Sequence, residues 1–193
     1  MRFTSLIIPS FIVVASIFIE TIGVESKSIL RFERDLFNNN TYWQLITGHL
    51  VHLGPNHLLL NLIGFALIGW LFLKNIPWHS WLILFIVTCL GVTSGLYLFN
   101  PELSWYVGLS GVLHGFLIYG IFRNIASGYR YEWLLLLAIT GKLAWEQVFG
   151  AMPGSAETAG GPVIVDAHLY GALTGLLIAC CTYLPKIWRK LLN

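Results

Sequence analysis

Four side chains suited to acyl-transfer chemistry stand at separated places in the chain: His57, Asn61, Ser110 and His168. A serine hydroxyl is inert as a nucleophile until a base takes its proton, and an imidazole can be that base. A histidine and an asparagine four residues apart share one helical face, and both can donate hydrogen bonds to the oxyanion formed when serine attacks an amide. The chain reads Gly108-Leu109-Ser110-Gly111-Val112-Leu113-His114-Gly115 around the serine. It reads Ala167-His168-Leu169-Tyr170-Gly171-Ala172-Leu173-Thr174-Gly175 around the last histidine. Both stretches carry Gly-x-x-x-Gly, a spacing that lets helix backbones approach closely in lipid. Pressing the Gly111/Gly115 face onto the Gly171/Gly175 face brings Ser110 and His168 within hydrogen-bond reach. A helix starting at Ser110 also leaves that residue's backbone N–H free as a further oxyanion donor.

The elements that must position these residues are set by an unusual composition. Of 193 residues, 56% are hydrophobic and 10% charged, and the mean hydropathy is +0.74, whereas a soluble domain is about 25% charged. So few charges cannot cover a water-facing surface, which excludes a soluble enzyme, a nucleic-acid binder and a disordered tail. The net charge of +2 is too small to argue for an anionic partner. Windows of about 20 apolar residues fall at about 4–23, 56–74, 78–99, 109–127, 132–150 and 163–185. The first has no small-x-small cleavage site after Arg2 and Leu6–Ile19, and reads as a retained span rather than a signal peptide. The expected fold is all-α: a polytopic bundle of six transmembrane helices, residues 1–193 forming one domain.

Basic residues set the orientation. Arg2, Lys74, Arg123, Arg130, Lys186, Arg189 and Lys190 fall on one side; Lys27, Arg31 and Arg34, diluted by Glu25, Glu33 and Asp35, fall on the other. Both termini are therefore expected in the cytoplasm, with outer loops at about 24–55, 100–108 and 151–162, the last rich in glycine and read as flexible. Trp78, Trp81, Trp105, Trp133 and Trp188 fall near span ends, where interfacial aromatics belong. Spans two, four and six then run inward from the outer face, and at 1.5 Å per residue they place His57, Asn61, Ser110 and His168 within roughly 10 Å of it. Cys89, Cys180 and Cys181 lie in apolar runs without disulfide or zinc spacing.

The order His52-x4-His57-x3-Asn61, then Gly108-x-Ser110-Gly111, then Ala167-His168-x2-Gly171-x3-Gly175 resembles the rhomboid family of intramembrane serine proteases over spans two to six. The resemblance implies a dyad of Ser110 as nucleophile and His168 as general base, without an acid, and an oxyanion hole from His57 and Asn61. His52, Gly108, Gly111, His114, Gly171 and Gly175 would support them. The short chain, the run 108–115 and Trp145-Glu146-Gln147 look like the rhombosortase branch, which implies secreted substrates bearing a C-terminal tail of a Gly-Gly motif, an apolar helix and basic residues. Such a substrate is a transmembrane protein cut near the outer face, in contact with lipid, in a bacterial inner membrane with the site toward the periplasm. Resolution of the acyl-enzyme by a nucleophile other than water, such as a lipid amine, is chemically open. No cofactor, metal or nucleic acid is called for. Two departures stand out: Trp43-Gln44 where many rhomboids have Trp-Arg, and His114 where a tyrosine is common one turn after the serine.

Other polar residues keep alternatives open. His114 has three readings: a structural group beneath the dyad, a polar core residue unrelated to chemistry, or the base itself. Lys142 and Glu146, four apart in span five, read either as a neutralising ion pair or, for Glu146, as a substrate-recognition group. His49 and His52 read as loop-ordering residues, with a metal role as the lesser alternative. A non-catalytic relative that binds and escorts transmembrane segments is the competing function, and a histidine-ligated metal or haem protein a third, though His-Glu-x-x-His is absent. A transporter built on Lys142 and Glu146 would leave the outer layer of residues unexplained.

Overall fold

A computed structural model of the chain describes residues 3–74 and 76–192, without the side chains of residues 3, 4, 26 and 186–192. Arg2 in the topology count lies outside the described residues, as do the side chains of Lys186, Trp188, Arg189 and Lys190. In chain order the elements are α1 (Ile7–Thr21), α2 (Val24–Leu30), β1 (Phe32–Glu33), α3 (Gln44–Thr47), α4 (Pro55–Leu71), α5 (Trp78–Phe99), β2 (Trp105–Tyr106), α6 (Ser110–Ser127), α7 (Glu132–Phe149), α8 (Ser155–Ala159) and α9 (Val165–Leu192). The long helices α1, α4, α5, α6, α7 and α9 coincide with the apolar windows. Among the described residues, Trp78–Phe99 and Val165–Pro185 are long and apolar enough to cross a membrane, while Ile7–Thr21 and Pro55–Leu71 are apolar but shorter. Helices α6 and α7 contain His114, Arg123, Lys142 and Glu146, and these polar groups dilute their hydropathy.

Helix α6 is the axis of the bundle. Val112, Phe116 and Ile121 on it are fully buried, and α9 packs against it most closely, followed by α5, α7 and α4. A Cβ at Gly171 would lie 1.8 Å from the Gly111 carbonyl oxygen, and one at Gly175 would lie 2.2 Å from that of Gly115. Any larger residue at either place would force the helices apart. Helix α5 uses the same device on its α9 side, where Gly91 and Gly95 receive Thr174 and Tyr170.

The segments expected as outer loops are more ordered than hydropathy indicates. Residues 24–55 contain α2, β1 and α3, and β1 pairs antiparallel with β2, Phe32 opposite Tyr106. Residues 151–162, expected to be flexible, contain α8, whose Ala159 is buried; left-handed glycines at 154 and 160 bound it. The Trp43-Gln44 departure acquires a local role. Gln44 is buried, takes a hydrogen bond from the Glu33 N–H at 3.2 Å and donates to the Ile29 carbonyl at 3.1 Å. Arg34 donates to the carbonyls of Leu103 at 2.8 Å, Tyr97 at 3.0 Å and Leu96 at 3.1 Å, and also to that of Asn100. A cation there gathers carbonyls of the last turn of α5 and of the segment that follows, at the negative end of the helix dipole. Lys27 pairs with Glu20 at 2.7 Å and Arg31 with Glu33 at 2.5 Å, so the basic residues of this end are engaged locally.

One tryptophan departs from the interfacial expectation. Trp81 is 4% exposed and packs edge-on to Phe116, ring centroids 5.6 Å apart. Its place one turn into α5 points it into the bundle, whereas Trp78 and Trp133 are exposed.

Candidate active site

Ser110 is the first residue of α6, so its amide has no partner within the helix. The turn feeding it depends on Gly108, at φ +123°, whose N–H bonds the Gly48 carbonyl at 3.1 Å. A Cβ there would meet His57 Cε1 at 2.9 Å, so glycine is needed both for the backbone angle and for the imidazole beside it. Tyr106 braces the turn: its hydroxyl donates to the Gly108 carbonyl at 2.8 Å, and burial raises its ionisation well above the usual phenol range.

His168, on the first turn of α9, reaches across the glycine contact. Its Nε2 lies 3.0 Å from Ser110 Oγ, and its Nδ1 lies 3.1 and 3.0 Å from the two carboxylate oxygens of Glu146 on α7. Lys142 Nζ is 2.8 Å from Glu146 Oε2 and 2.7 Å from His114 Nε2, and His114 Nδ1 is 2.8 Å from the Ser110 carbonyl. One proton arrangement satisfies all of these contacts. The Lys142 ammonium donates to Glu146 and to His114 Nε2, and His114 Nδ1–H donates to the Ser110 carbonyl. His168 Nδ1–H donates to Glu146, which leaves Nε2 to accept the Ser110 hydroxyl proton. Lys142 Nζ also approaches His168 Nδ1 at 3.3 Å, but both groups are then donors and no bond joins them. The His114 and His168 rings stack at 4.2 Å with 17° between planes.

Glu146 is 3% exposed and His168 5%. An ionised carboxylate that deep costs several kcal/mol unless paired, and two donors answer it here, the Lys142 ammonium and His168 Nδ1–H. A ligand atom from each of His114, Glu146 and His168 falls within 4.8 Å of the others, close enough to share a metal ion. Lys142 Nζ occupies the space among them, however, so the cluster is centred on an amine.

The remaining sequence candidates divide. His57 and Ser110 line one cavity of about 220 Å³, walled by Trp105, Tyr106 and the segment after α8. Asn61 is buried and does not line it; its amide donates to the His57 carbonyl at 3.0 Å and keeps a second N–H. His57 Nδ1 accepts from the Leu53 N–H at 3.4 Å. His52 is buried, with Nδ1 3.1 Å from the Leu50 carbonyl and its ring edge-on to His57 at 5.1 Å. His49 bonds the Cys89 carbonyl at 3.1 Å and Thr93 Oγ1 at 2.9 Å through Nε2, tying the segment 24–55 to α5. Burial lowers His49 to about 4; burial and then the neighbouring His57 lower His52 to about 3. Both are neutral near pH 7.

Two features carry no motif in the sequence. Glu146, whose spacing from Lys142 reads as an ion-pair or substrate group, also sits on His168; its place one turn from the C-terminal end of α7 is the available signal. Asn100, at the end of α5, donates to Asp166 and accepts from the Tyr170 hydroxyl at 2.9 Å. It thereby pins the first turn of α9 on both sides of His168, with no motif to mark it.

A model of the rhomboid domain family matches residues 39–185. A search of curated proteins gives no match.

Proposed function

The chain belongs to the rhomboid family of intramembrane serine proteases, and from that premise we propose that it is an integral membrane endopeptidase in which Ser110 is the nucleophile and His168 the general base. The observation that carries this reading is the 3.0 Å contact between Ser110 Oγ and His168 Nε2 across two separate helices. Ser110 Oγ attacks the scissile carbonyl carbon while its proton passes to His168 Nε2. The C–N bond breaks as that proton moves to the leaving amine, leaving an ester on Ser110. Water then attacks the ester, His168 takes its proton and returns it to Ser110 Oγ, and a carboxylic acid departs. The Ser110 amide, His57 and Asn61 serve as oxyanion donors.

The substrate class we propose is a secreted protein bearing a C-terminal tail with a Gly-Gly motif before an apolar helix, as in the rhombosortase branch. The run Gly108–Gly115 and Trp145-Glu146-Gln147 support that assignment. Glycine near the scissile bond makes local unwinding of the substrate helix inexpensive. In this reading the six long helices all span, both termini are cytoplasmic, and the cavity shared by His57 and Ser110 opens toward the periplasm of a bacterial inner membrane. A lipid amine in place of water would convert cleavage into transfer.

The test is co-expression with a tail-bearing secreted protein, followed by mass analysis of its new C-terminus. Ser110→Ala is expected to abolish cleavage while the protein still folds; unchanged cleavage would remove Ser110 as nucleophile. The competing reading, a non-catalytic escort of transmembrane segments, predicts a bound substrate with an intact tail in both forms.

A further inference from the structure

We propose that Glu146 is a positioning residue for His168 and that Lys142 balances its charge, so that the pair sets the pH range over which His168 is an unprotonated base. This rests on the catalytic reading of Ser110 and His168. It goes beyond the acid-free dyad that the rhomboid resemblance implies.

The geometry has three parts. Glu146 accepts from His168 Nδ1 with both carboxylate oxygens, at 3.1 and 3.0 Å, which fixes the tautomer whose Nε2 faces Ser110. The contact also holds the ring plane, since His114 stacks on it at 4.2 Å. Lys142 then ties the carboxylate to the serine's own helix, through Glu146 Oε2 at 2.8 Å and His114 Nε2 at 2.7 Å. His114 completes the ring of bonds at the Ser110 carbonyl, 2.8 Å away. Three helices are thereby locked around one imidazole.

The charges work in opposite directions. When His168 takes the serine proton, the carboxylate of Glu146 stabilises the imidazolium and the ammonium of Lys142, 3.3 Å from Nδ1, opposes it. Glu146 alone would hold the proton too well and leave the base occupied near neutral pH. Lys142 alone would discourage the transfer. The titratable groups facing His168 are Lys142 and Glu146 from α7, His114 from α6 and His57 from α4. Of these, His114 Nε2 already accepts from Lys142.

The test uses the full chain in detergent and the rate at which a fluorophosphonate labels the active serine, measured from pH 5 to 9. Glu146→Gln is expected to slow labelling by about 10²-fold at neutral pH and to move the acid limb of the profile to lower pH by about one unit. Lys142→Met is expected to move that limb the other way, and Glu146→Asp to recover part of the rate. A structural role alone would not give opposed shifts. Profiles that coincide with that of the unmodified chain, or that both move in one direction, overturn the proposal. Where a single variant does not fold, the double variant Glu146→Gln/Lys142→Met removes both opposed charges together and is expected to label slowly with a profile close to that of the unmodified chain; an unchanged rate would equally overturn the proposal. Ser110→Ala separates the two readings. If it is labelled normally the catalytic assignment fails, whereas if it is silent while the Glu146 and Lys142 variants behave as the unmodified chain, only the present inference fails.

Discussion

Helices α6 and α7 both bring groups to the same imidazole, yet they are held in place by different forces. Helix α6 meets α9 backbone to backbone, with Gly111 and Gly115 against Gly171 and Gly175, and its buried residues run from Gly111 to Ala126. On α7 only Leu143 and Glu146 are buried; Leu134, Leu137, Val148 and Phe149 are each more than two-thirds exposed. An apolar groove of about 440 Å³ lies between α7 and the α6/α9 pair, lined in part by Ile118, Leu143, Ala172 and Leu176. Ser110 Oγ and His168 Nε2, proposed above to exchange a proton, therefore sit at the end of the closest helix-to-helix contact among the described residues. Lys142 and Glu146, proposed to tune that exchange, hang on a loosely packed helix fastened near its C-terminal end by hydrogen bonds. Dispersion and close packing fix a distance to tenths of an ångström, whereas charged hydrogen bonds fix orientation and electrostatic balance.

The contrast is easiest to break at glycine. Gly175→Ala places a methyl group 2.2 Å from the Gly115 carbonyl oxygen, and is expected to destabilise the protein by about 1–3 kcal/mol and to cut serine labelling sharply. Thermal unfolding in detergent measures the first effect. Near-normal values for both would show that the helices are not pinned as described. A smaller effect comes from the histidines that fasten the segment 24–55. His49 is lowered to about 4 by burial from an ordinary value near 6.5, so the unfolded chain takes up its proton first. Its contribution to stability is complete above pH 6.5 and is lost as pH falls from there toward 4; His52 acts in the same direction. The unfolding temperature should fall between pH 7 and pH 5, with a flatter profile for His49→Gln. A pH-independent unfolding temperature would contradict this. The smallest effect sharpens the comparison from the other side. A Cβ at Gly141 on α7 meets nothing within 4 Å, so Gly141→Ala should raise stability by about 0.5–1 kcal/mol through helix propensity alone. A loss as large as that of Gly175→Ala would show α7 to be packed as tightly as α9.

Much of the helical layout was legible because hydropathy is local: a run of about 20 apolar residues announces itself without reference to the rest of the chain. The paired Gly-x-x-x-Gly spacings were legible for a related reason, since small residues one turn apart identify the face of a helix that can approach another. The order of the segments between the long helices was not. Nothing nearby in sequence marks Arg34 as the cap of α5, because its acceptors are 62 to 69 residues away. Trp81 illustrates the same limit in reverse: its position near a helix end suggests an interface, but the rotation of α5 turns it inward against Phe116.

By itself, then, the sequence determined where the apolar segments fall, which helix faces can approach closely, and which serine, histidines and asparagine stand near the starts of three of those segments. The tertiary structure decided which of those groups touch. His168 and Glu146 are 22 residues apart in the chain and 3.0 Å apart in space, a contact that depends on the rotation of α7 about its axis. Composition leaves that rotation free, and the packing of side chains on three helices at once selects it.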